Sequence, residues 1–147
     1  MFFKYGGLSF EILLHEGKVS QVIFNLNQSP VGRELSQQEL LEYELELSGF
    51  SDFERKVLRK VRDIPPGRVA TYKGIARAVG KRNAARAVGG VMARNRFPIL
   101  IPCHRVIRSD LSVGNYAYGS ETKALLLQRE GVNIRRGKVE KEFLFEF

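Results

Sequence analysis

The feature that most constrains the fold is a change of hydrophobic periodicity along the chain. Apolar and polar residues alternate in segments 8–14 and 19–26, and the stretch His15-Glu16-Gly17-Lys18 between them has the composition of a turn. Alternation puts every second side chain on one face of a strand, so these segments predict a hairpin. After residue 36 the apolar residues recur at helical spacing. The sequence therefore predicts an α+β fold, with a small strand-rich N-terminal lobe followed by a helical C-terminal lobe.

Two capping-box sequences predict where helices begin, because Ser36 and Ser51 are each followed three residues later by a glutamate. The first box predicts an acidic helix that runs to about residue 47. The second predicts a helix with one apolar face and one basic face, which the sequence Pro65-Pro66-Gly67 ends. We expect two domains, an N-terminal α/β lobe of residues 1–50 and a second domain of residues 51–147.

Two shorter helices are predicted over residues 72–79 and 83–94, separated by Gly80, with Asn83 as the cap of the second helix. Together they have the form of a helix-turn-helix, and we expect a winged-helix-like arrangement. Six small residues leave one side of the second helix nearly bare: Ala84, Ala85, Ala87, Gly89, Gly90 and Ala93. Such a surface lets a DNA strand come close, but packing against a neighbouring helix explains it equally well.

The C-terminal part contains the only cysteine, Cys103. The apolar residues 99–101 are too few for a helix, and they predict a buried extended segment that leads to this cysteine. A loop over residues 109–119 and a helix over residues 120–130 follow. Residues 143–147 alternate in the manner of a strand or an ordered arm.

The charge of the chain is distributed unevenly. The net charge is +8, but residues 1–50 carry −4 and the remainder carries +12. Thirteen basic residues and one acid, Asp63, lie between Arg55 and Arg96. A basic lobe of this kind is what the neutralisation of DNA phosphates requires, although a solvated charged surface has the same composition.

Composition argues against a membrane protein, a secreted protein and a zinc protein, so we expect a soluble, intracellular, cytoplasmic protein. No apolar run has the length of a membrane span, and the first residues lack the layout of a secretory signal. A single cysteine cannot form an internal disulfide, and with His15 and His104 it makes a poor set of zinc ligands. We therefore expect no metal and no membrane partner.

Cys103 is a candidate nucleophile because His104 follows it directly. A cysteine reacts as a thiolate and needs a base or a positive environment. Neighbouring side chains on an extended segment point to opposite faces, so we expect a water to bridge the thiol and the imidazole. Glu130 is a candidate for orienting the histidine. For the Cys103-His104 pair taken alone, a buried structural cysteine beside a surface histidine is a better interpretation than a catalytic pair.

Residues 53–132 resemble the O6-alkylguanine-DNA alkyltransferase family in the order and spacing of several motifs. The motifs are Ile101-Pro102-Cys103-His104-Arg105-Val106-Ile107, Ala85-Arg86-Ala87-Val88-Gly89-Gly90, Asn95, Pro98, Gly114-Asn115-Tyr116 and Glu130-Gly131. The first motif resembles the alkyl-acceptor signature of the family and the second resembles its recognition helix. The resemblance implies DNA repair by transfer of an alkyl group from O6-alkylguanine to Cys103, once per protein molecule and without a cofactor.

The resemblance also implies a role for each matching residue. Glu130, His104 and a water would draw off the thiol proton, Asn95 would hold the active-site segment, and Tyr72 would donate a hydrogen bond to the departing base. The pocket would be formed by Tyr72, Pro98, Val106, Tyr116, Ala117 and Tyr118, with backbone groups near Val106 and Ala117 reading the guanine edge.

The expected partner is double-stranded DNA carrying O6-alkylguanine, bound by a monomer. The alkylated nucleotide must rotate out of the duplex, and Arg86 resembles the arginine that fills its place in the stack. The resemblance places the helix of Arg86 in the minor groove. The remaining predicted DNA contacts are Ala85, Ala87, Gly89, Thr71 and Arg94.

The sequence departs from the family pattern in two places. The N-terminal lobe is short and lacks the zinc ligands that some members carry, so we interpret it as structural. Tyr118 stands before Gly119 where many members have two glycines. We expect the tyrosine ring to narrow the pocket, although a ring turned outward is the alternative.

Three other functions remain open at this point. An alkyltransferase-like module that binds lesions would lack the acceptor cysteine, which this chain has as Cys103. A cysteine hydrolase using Cys103, His104 and Glu130 would turn over repeatedly and would leave the basic lobe without a purpose. A helix-turn-helix regulator would bind a preferred sequence as a dimer, and its binding would not depend on the thiol.

Overall fold

The N-terminal part is built on a four-stranded sheet in the computed structural model, which describes residues 1–26 and 30–147. The strands are β1 (Phe2–Tyr5), β2 (Leu8–His15), β3 (Lys18–Asn25) and β4 (Arg33–Glu34), in the order β3-β2-β1-β4. Strands β1 and β3 run antiparallel to β2, and β4 runs parallel to β1. The predicted hairpin of β2 and β3 is confirmed, and its turn contains Glu16 and Gly17 at positive φ.

The first predicted helix is present but shorter than expected. Helix α1 (Gln37–Glu42) begins at the predicted Ser36 capping box and ends five residues before residue 47. The expectation of a longer helix is wrong because Tyr43 is extended and the next residues join the sheet. There Leu45 forms a parallel bridge with Val19. The backbone groups of Glu44 and Glu46 form hydrogen bonds with Val19 of β3, in place of the bonds that they would form in a longer helix.

The second helix, α2 (Asp52–Arg62), confirms its prediction. The Ser51 side chain accepts from the backbone N–H of Glu54, and the Glu54 side chain reaches back to Ser51. Val57, Leu58 and Val61 are buried on one face of the helix. The basic residues occupy the rest of its surface.

The helix-turn-helix is formed by α3 (Tyr72–Ala78) and α4 (Ala85–Ala93). The prediction that Asn83 caps the second helix is wrong, because its N-cap is Ala84 and has no side-chain cap bond. A turn closed by Ala84 N–H donating to the Lys81 carbonyl at 2.9 Å delays the start of the helix. Strand β5 (Ala70–Thr71) precedes α3 and pairs in parallel with β6 (Val106–Ile107). A small antiparallel hairpin of β7 (Ile134–Arg135) and β8 (Lys138–Val139) follows later in the chain.

The segment before the cysteine is buried, as predicted, but it is not extended. Ile99, Leu100 and Ile101 are at most 3% exposed. The chain turns here, with Ile99 at φ 72° and the Ile101 N–H donating to the Phe97 carbonyl at 2.8 Å. A single 3-10 turn, Cys103–Arg105, follows. The apolar run reflects burial, and the proline residues on either side of it favour turns over a continuous strand.

The C-terminal helix and arm agree with the sequence. Helix α5 (Ser120–Arg129) ends with Glu130 as its C-cap, followed by Gly131 at φ 93°. The last residues form an ordered arm on β5, because the Phe145 N–H donates to the Val69 carbonyl at 2.8 Å. No described helix is long and apolar enough to cross a membrane.

The main hydrophobic core combines residues of the sheet, of α2 to α4 and of the cysteine segment. Phe10 and Val22 of the sheet belong to the same cluster as Val57, Val88 and Cys103. A smaller cluster contains Val69, Ile107 and Leu127. The shared core fixes the sheet against the helices that carry the site. A domain boundary between residues 50 and 51 remains a prediction.

Candidate active site

Cys103 lies in the wall of a cavity of about 370 Å³, where it is 6% exposed. The cavity is formed by α3, α4, the cysteine turn and the loop before α5. Its lining residues are Tyr72, Gly89, Met92, Ala93, Cys103, Asn115, Tyr116 and Ala117. The predicted residues Tyr72, Cys103, Tyr116 and Ala117 are thus brought together, and Gly89 joins them from the predicted DNA-binding set.

Asn95 holds the turn that presents the thiol. Its side-chain amide donates to the Ile101 carbonyl at 3.2 Å, and its side-chain oxygen accepts from the Phe97 N–H at 2.9 Å. Asn95 is itself buried. Both ends of the segment before Cys103 are therefore attached to one side chain, which is the geometry that a positioning role requires.

His104 and Glu130 form a buried pair beside the cysteine. The His104 ring nitrogen Nε2 lies 3.1 Å from Glu130 Oε1, and the imidazole is fully buried. Nε2 therefore carries the proton, because a carboxylate can only accept. His104 Nδ1 is also buried and has no hydrogen-bond partner among the described residues. Its lone pair is free to accept a proton.

The pKa values of His104 and Glu130 determine which of the two side chains is charged before the reaction. Burial lowers the pKa of His104, although Glu130 opposes the shift, so the imidazole is neutral at physiological pH. Burial alone would raise the pKa of Glu130, but hydrogen bonds from Arg105 and His104 outweigh it and bring the pKa to about 2. Glu130 is therefore an anion that can stabilise a protonated His104.

The thiol is neutral at rest, because burial raises the pKa of Cys103 more than Asn95 and Lys123 lower it. A reaction at sulfur thus needs a proton acceptor. The expectation that Cys103 and His104 point to opposite faces of a strand is wrong in its premise, since both lie on a 3-10 turn. Successive side chains diverge there as well. No direct hydrogen bond joins these two described side chains, so a bridging water remains our proposal for the relay.

Arg105 is a site residue that sequence reasoning missed. Its guanidinium is 1% exposed and donates to both oxygens of Glu130, from Nε to Oε1 at 2.9 Å and from Nη2 to Oε2 at 2.5 Å. Nη1 also donates to the Ile64 carbonyl at 2.7 Å. The available signal was an arginine inside the apolar stretch 99–107, because a buried cation requires a buried anion.

Lys123 was also missed. It is 1% exposed, and its ammonium donates to the Val106 carbonyl at 2.7 Å and to the Asn115 carbonyl at 3.3 Å. Burial lowers its pKa to about 8. The lysine connects β6 to the loop that lines the cavity. Its position three and four residues before the buried Leu126 and Leu127 places it on the apolar face of α5, and this spacing was the available signal.

Tyr72 begins α3 and lines the cavity. Burial, followed by the proximity of Cys103, raises the pKa of its hydroxyl, so the group remains a hydrogen-bond donor. The neighbouring Thr71, predicted to contact DNA, caps α3 by accepting from the Gly74 N–H at 2.9 Å.

The predicted DNA-binding residues of α4 lie next to the cavity mouth. Arg86 and Ala87 are exposed in the first turn of the helix, and Gly89 lines the cavity one turn later. A Cβ on Gly89 would lie 3.9 Å from the Tyr72 ring, an ordinary contact, so the surrounding protein does not itself exclude a side chain here. Arg94, at the end of α4, lies 3.4 Å from Glu54 of α2 and already has an acidic partner.

Three predicted pocket residues do not line the cavity within the described part of the chain. Pro98 and Val106 are buried and are not among the lining residues. The Tyr118 ring packs edge-on against Phe24 of β3 and against Tyr116, with ring centroids 4.7 Å and 5.4 Å apart. Tyr118 therefore contacts the cavity wall and not the cavity itself. Its effect on pocket width remains a prediction.

Among the residues that the structure describes, no group of three or more histidine, cysteine, aspartate or glutamate side chains is placed to hold a metal ion. The protonation states of Cys103, His104 and Glu130 place a neutral thiol in the same site as a neutral imidazole and an ionised carboxylate. Such a set can transfer a proton away from sulfur while the sulfur attacks a group bound in the cavity.

Comparison with known proteins agrees with the motifs and the geometry. Residues 52–132 match the family described as "6-O-methylguanine DNA methyltransferase, DNA binding domain". The chain is 36% identical over 126 residues to a methylated-DNA–protein-cysteine methyltransferase of Methanocaldococcus jannaschii, covering 86% of this chain and 71% of that protein.

Two further relatives extend the comparison. The bifunctional transcriptional activator/DNA repair enzyme Ada of Escherichia coli is 37% identical over 124 residues, 84% of this chain but only 32% of Ada. The chain therefore spans about a third of that relative. The crystal structure of Mycobacterium tuberculosis OGT in complex with DNA superposes with a TM-score of 0.70 at 25% identity, covering 88% of this chain and 90% of the other. From the match over residues 52–132 and the archaeal relative, we conclude that the chain belongs to the 6-O-methylguanine DNA methyltransferase family.

Proposed function

We propose that this protein repairs DNA by transferring an alkyl group from O6-alkylguanine to Cys103, once per protein molecule. The observation that carries the proposal is the placement of the thiol. Cys103 lies in the same cavity as Tyr72 and Gly89 of the helix-turn-helix, and His104, which pairs with Glu130, is the next residue of the same turn. A DNA-binding motif and a proton-accepting pair thus meet at one sulfur atom.

In the proposed reaction the Cys103 sulfur attacks the alkyl carbon, so that a carbon–sulfur bond forms as the bond from carbon to O6 breaks. The electron pair of the broken bond goes to the guanine. The thiol proton passes through a water to Nδ1 of His104, and Glu130 stabilises the resulting imidazolium. The Tyr72 hydroxyl transfers its proton to a ring nitrogen of the base, so that guanine leaves in its neutral form. The proton held by His104 then returns through water to the Tyr72 oxygen.

The reaction stops after one transfer because its product is a thioether. A thioether has no activated carbonyl or phosphoryl group for water to attack, so hydrolysis does not restore the thiol. This outcome distinguishes the protein from a cysteine hydrolase, which would act on many substrate molecules.

The proposed partner is duplex DNA, bound by a monomer through the basic surface of α3 and α4. O6 of guanine cannot be reached inside the base stack, so the nucleotide is rotated out at a cost of roughly a few kcal/mol. Arg86 is exposed on α4 next to the cavity and is suited to occupy the vacated place. Names of relatives that include DNA repair and methylated DNA support this partner. A cytoplasmic location remains part of the proposal.

The decisive experiment is intact mass spectrometry after mixing with duplex DNA containing O6-methylguanine. We expect a gain of one methyl group, mapped to Cys103, with one equivalent of DNA repaired per protein. Cys103→Ser is expected to retain DNA affinity and to gain no mass. Repeated turnover by the natural protein, or methyl removal by the serine variant, would contradict the assignment.

A further inference from the structure

The first turn of the N-terminal sheet lies against the helix that ends at the relay. Tyr5 is the last residue of β1, and Gly6 and Gly7 connect it to β2 at φ 57° and 82°. A Cβ on Gly6 would lie 3.0 Å from Leu126 of α5, and a Cβ on Gly7 would lie 2.8 Å from Arg129. Gly6 therefore lets the strand end approach α5 closely, whereas the group nearest to Gly7 is the flexible end of the Arg129 side chain. This approach carries Tyr5 to the end of the helix.

At this point Tyr5 enters the buried ion pair. Its hydroxyl donates to Glu130 Oε2 at 2.5 Å and accepts from Arg105 Nη2 at 3.3 Å. Arg105 Nη2 also donates to the side-chain oxygen of Gln37 at 3.3 Å, a second contact from the N-terminal lobe. Burial, together with the charge of Glu130, raises the pKa of Tyr5, so the phenol stays protonated and keeps its role as donor.

The two oxygens of Glu130 have different neighbours. Oε1 faces His104, and Oε2 faces Tyr5. Arg105 donates to both oxygens and so does not distinguish them. Among the described contacts, the Tyr5 hydroxyl acts on Oε2 alone, so it opposes rotation of the carboxylate away from the histidine.

We propose that Tyr5 is a positioning residue for the proton transfer, which holds Glu130 so that Oε1 supports His104. The proposal rests on the proposed function of this site. It gives the N-terminal sheet a part in the chemistry in addition to its part in the core. The link spans 125 residues of chain.

The charges around His104 fix the direction of the expected effect. The charged groups that face it are Glu130 and Lys123 from α5 and Arg105 from its own turn, together with the neutral thiol of Cys103. Only Glu130 favours the protonated imidazole, because the two cations disfavour it. If the carboxylate turns away, His104 becomes a weaker base. The reaction then slows. The acid limb of the pH–rate profile, where the rate falls because His104 becomes protonated, moves to lower pH.

The test measures the rate of reaction with free O6-methylguanine as a function of pH, so that DNA binding plays no part. Tyr5→Phe removes only the hydroxyl, and we expect it to slow the reaction about three- to tenfold and to shift the acid limb to lower pH. Tyr43→Phe is the matched control, since Tyr43 packs edge-on against Phe3 of the same lobe. We expect this control to behave like the natural protein. A rate within about twofold of the natural protein with an unmoved limb, or a limb moved to higher pH, would overturn the role of Tyr5.

A second measurement separates this proposal from the proposed function. The chain has two histidines, His15 and His104, so the imidazole signals in NMR are readily assigned. We expect Tyr5→Phe to lower the pH at which His104 titrates. If the natural protein takes up no alkyl group, the proposed function fails, yet the titration still tests Tyr5. If His104 titrates identically in a folded Tyr5→Phe protein, the positioning role fails even when transfer occurs.

Discussion

The Glu130→Gln substitution tests the buried ion pair through the pH dependence of folding. The pKa of Glu130 is about 2 in the folded protein, against an ordinary value of 4.5. Since one pKa unit corresponds to about 1.4 kcal/mol, the ionised carboxylate contributes roughly 3 kcal/mol to stability at neutral pH. The side chain is only 4% exposed, so solvent screens this contribution little. Because the folded pKa is lowered, the contribution is complete above about pH 5 and most of it is lost by about pH 3.

Glutamine keeps the shape of Glu130 but leaves the buried guanidinium of Arg105 without a counter-charge. Breaking a buried pair in this way costs about 3–5 kcal/mol. We therefore expect urea unfolding at pH 7 to show a loss of that size. Between pH 5 and pH 2 the difference between the variant and the natural protein should shrink, because the natural protein loses what the variant already lacks.

The matched control is Glu39→Gln. The pKa of Glu39 is also lowered, by its hydrogen bond to Arg33, but this carboxylate is exposed to solvent. We expect the control to differ from the natural protein much less than Glu130→Gln does at every pH, because solvent screens the exposed pair. The reasoning is refuted if the stability curves of Glu130→Gln and the natural protein run parallel between pH 5 and pH 2.

Two further predictions concern the DNA and the pocket. Arg86→Ala should slow repair of a duplex lesion more than reaction with a free alkylguanine base, with poor rescue by Arg86→Lys, because lysine lacks the planar guanidinium. Equal slowing in both rate assays would show that Arg86 does not stabilise DNA in which the alkylated nucleotide is rotated out of the duplex. Tyr118→Gly should raise the rate with benzylated relative to methylated guanine by at least about tenfold. The Tyr118 ring supports Tyr116 in the cavity wall, and without this ring Tyr116 can move outward and leave room for the benzyl group. An unchanged ratio would show that Tyr118 does not control pocket width.

The elements that the sequence predicted correctly depend on signals within a few residues. The capping boxes at Ser36 and Ser51 are both present, because each needs only a serine and a glutamate three positions later. The end of α5 follows from Gly131 in the same way. Where a local signal is sufficient, the predicted and observed boundaries agree within a residue or two.

The errors occur where a distant contact decides the conformation. The helix expected to reach residue 47 ends at Glu42 because the following chain pairs with Val19. The segment before Cys103 is a turn and not a strand, held by Asn95 and by the Phe97 carbonyl. Hydrophobic composition correctly predicted that this segment is buried, but burial does not specify the backbone conformation.

The site shows the same division between local and distant information. Cys103, His104 and Glu130 were accessible from motifs, whereas Arg105 and Lys123 required attention to charged residues in apolar positions. A cation within a buried stretch predicts that an anion or carbonyl groups lie opposite, even when the partner is unknown. For Arg105 the partner is Glu130, which the motif had already assigned to His104. One carboxylate thus has two tasks, to neutralise a structural cation and to support a proton acceptor.

The N-terminal lobe was interpreted as structural, because it has no zinc ligands and no catalytic motif. Its contacts with the buried ion pair are made by the hydroxyl of Tyr5 and the side chain of Gln37, and Tyr5 is placed by strand pairing and by the close approach of Gly6 to α5. A Gly-Gly pair between two alternating segments predicts a turn, but nothing in it identifies the helix against which the turn packs. Because the carboxylate bound by Tyr5 also faces His104, displacing the sheet from α5 would change the basicity of the imidazole as well as the stability of the fold. The two effects can be separated at Tyr5, where removing one oxygen atom leaves the ring in the core and changes only the hydrogen bonds to Glu130 and Arg105.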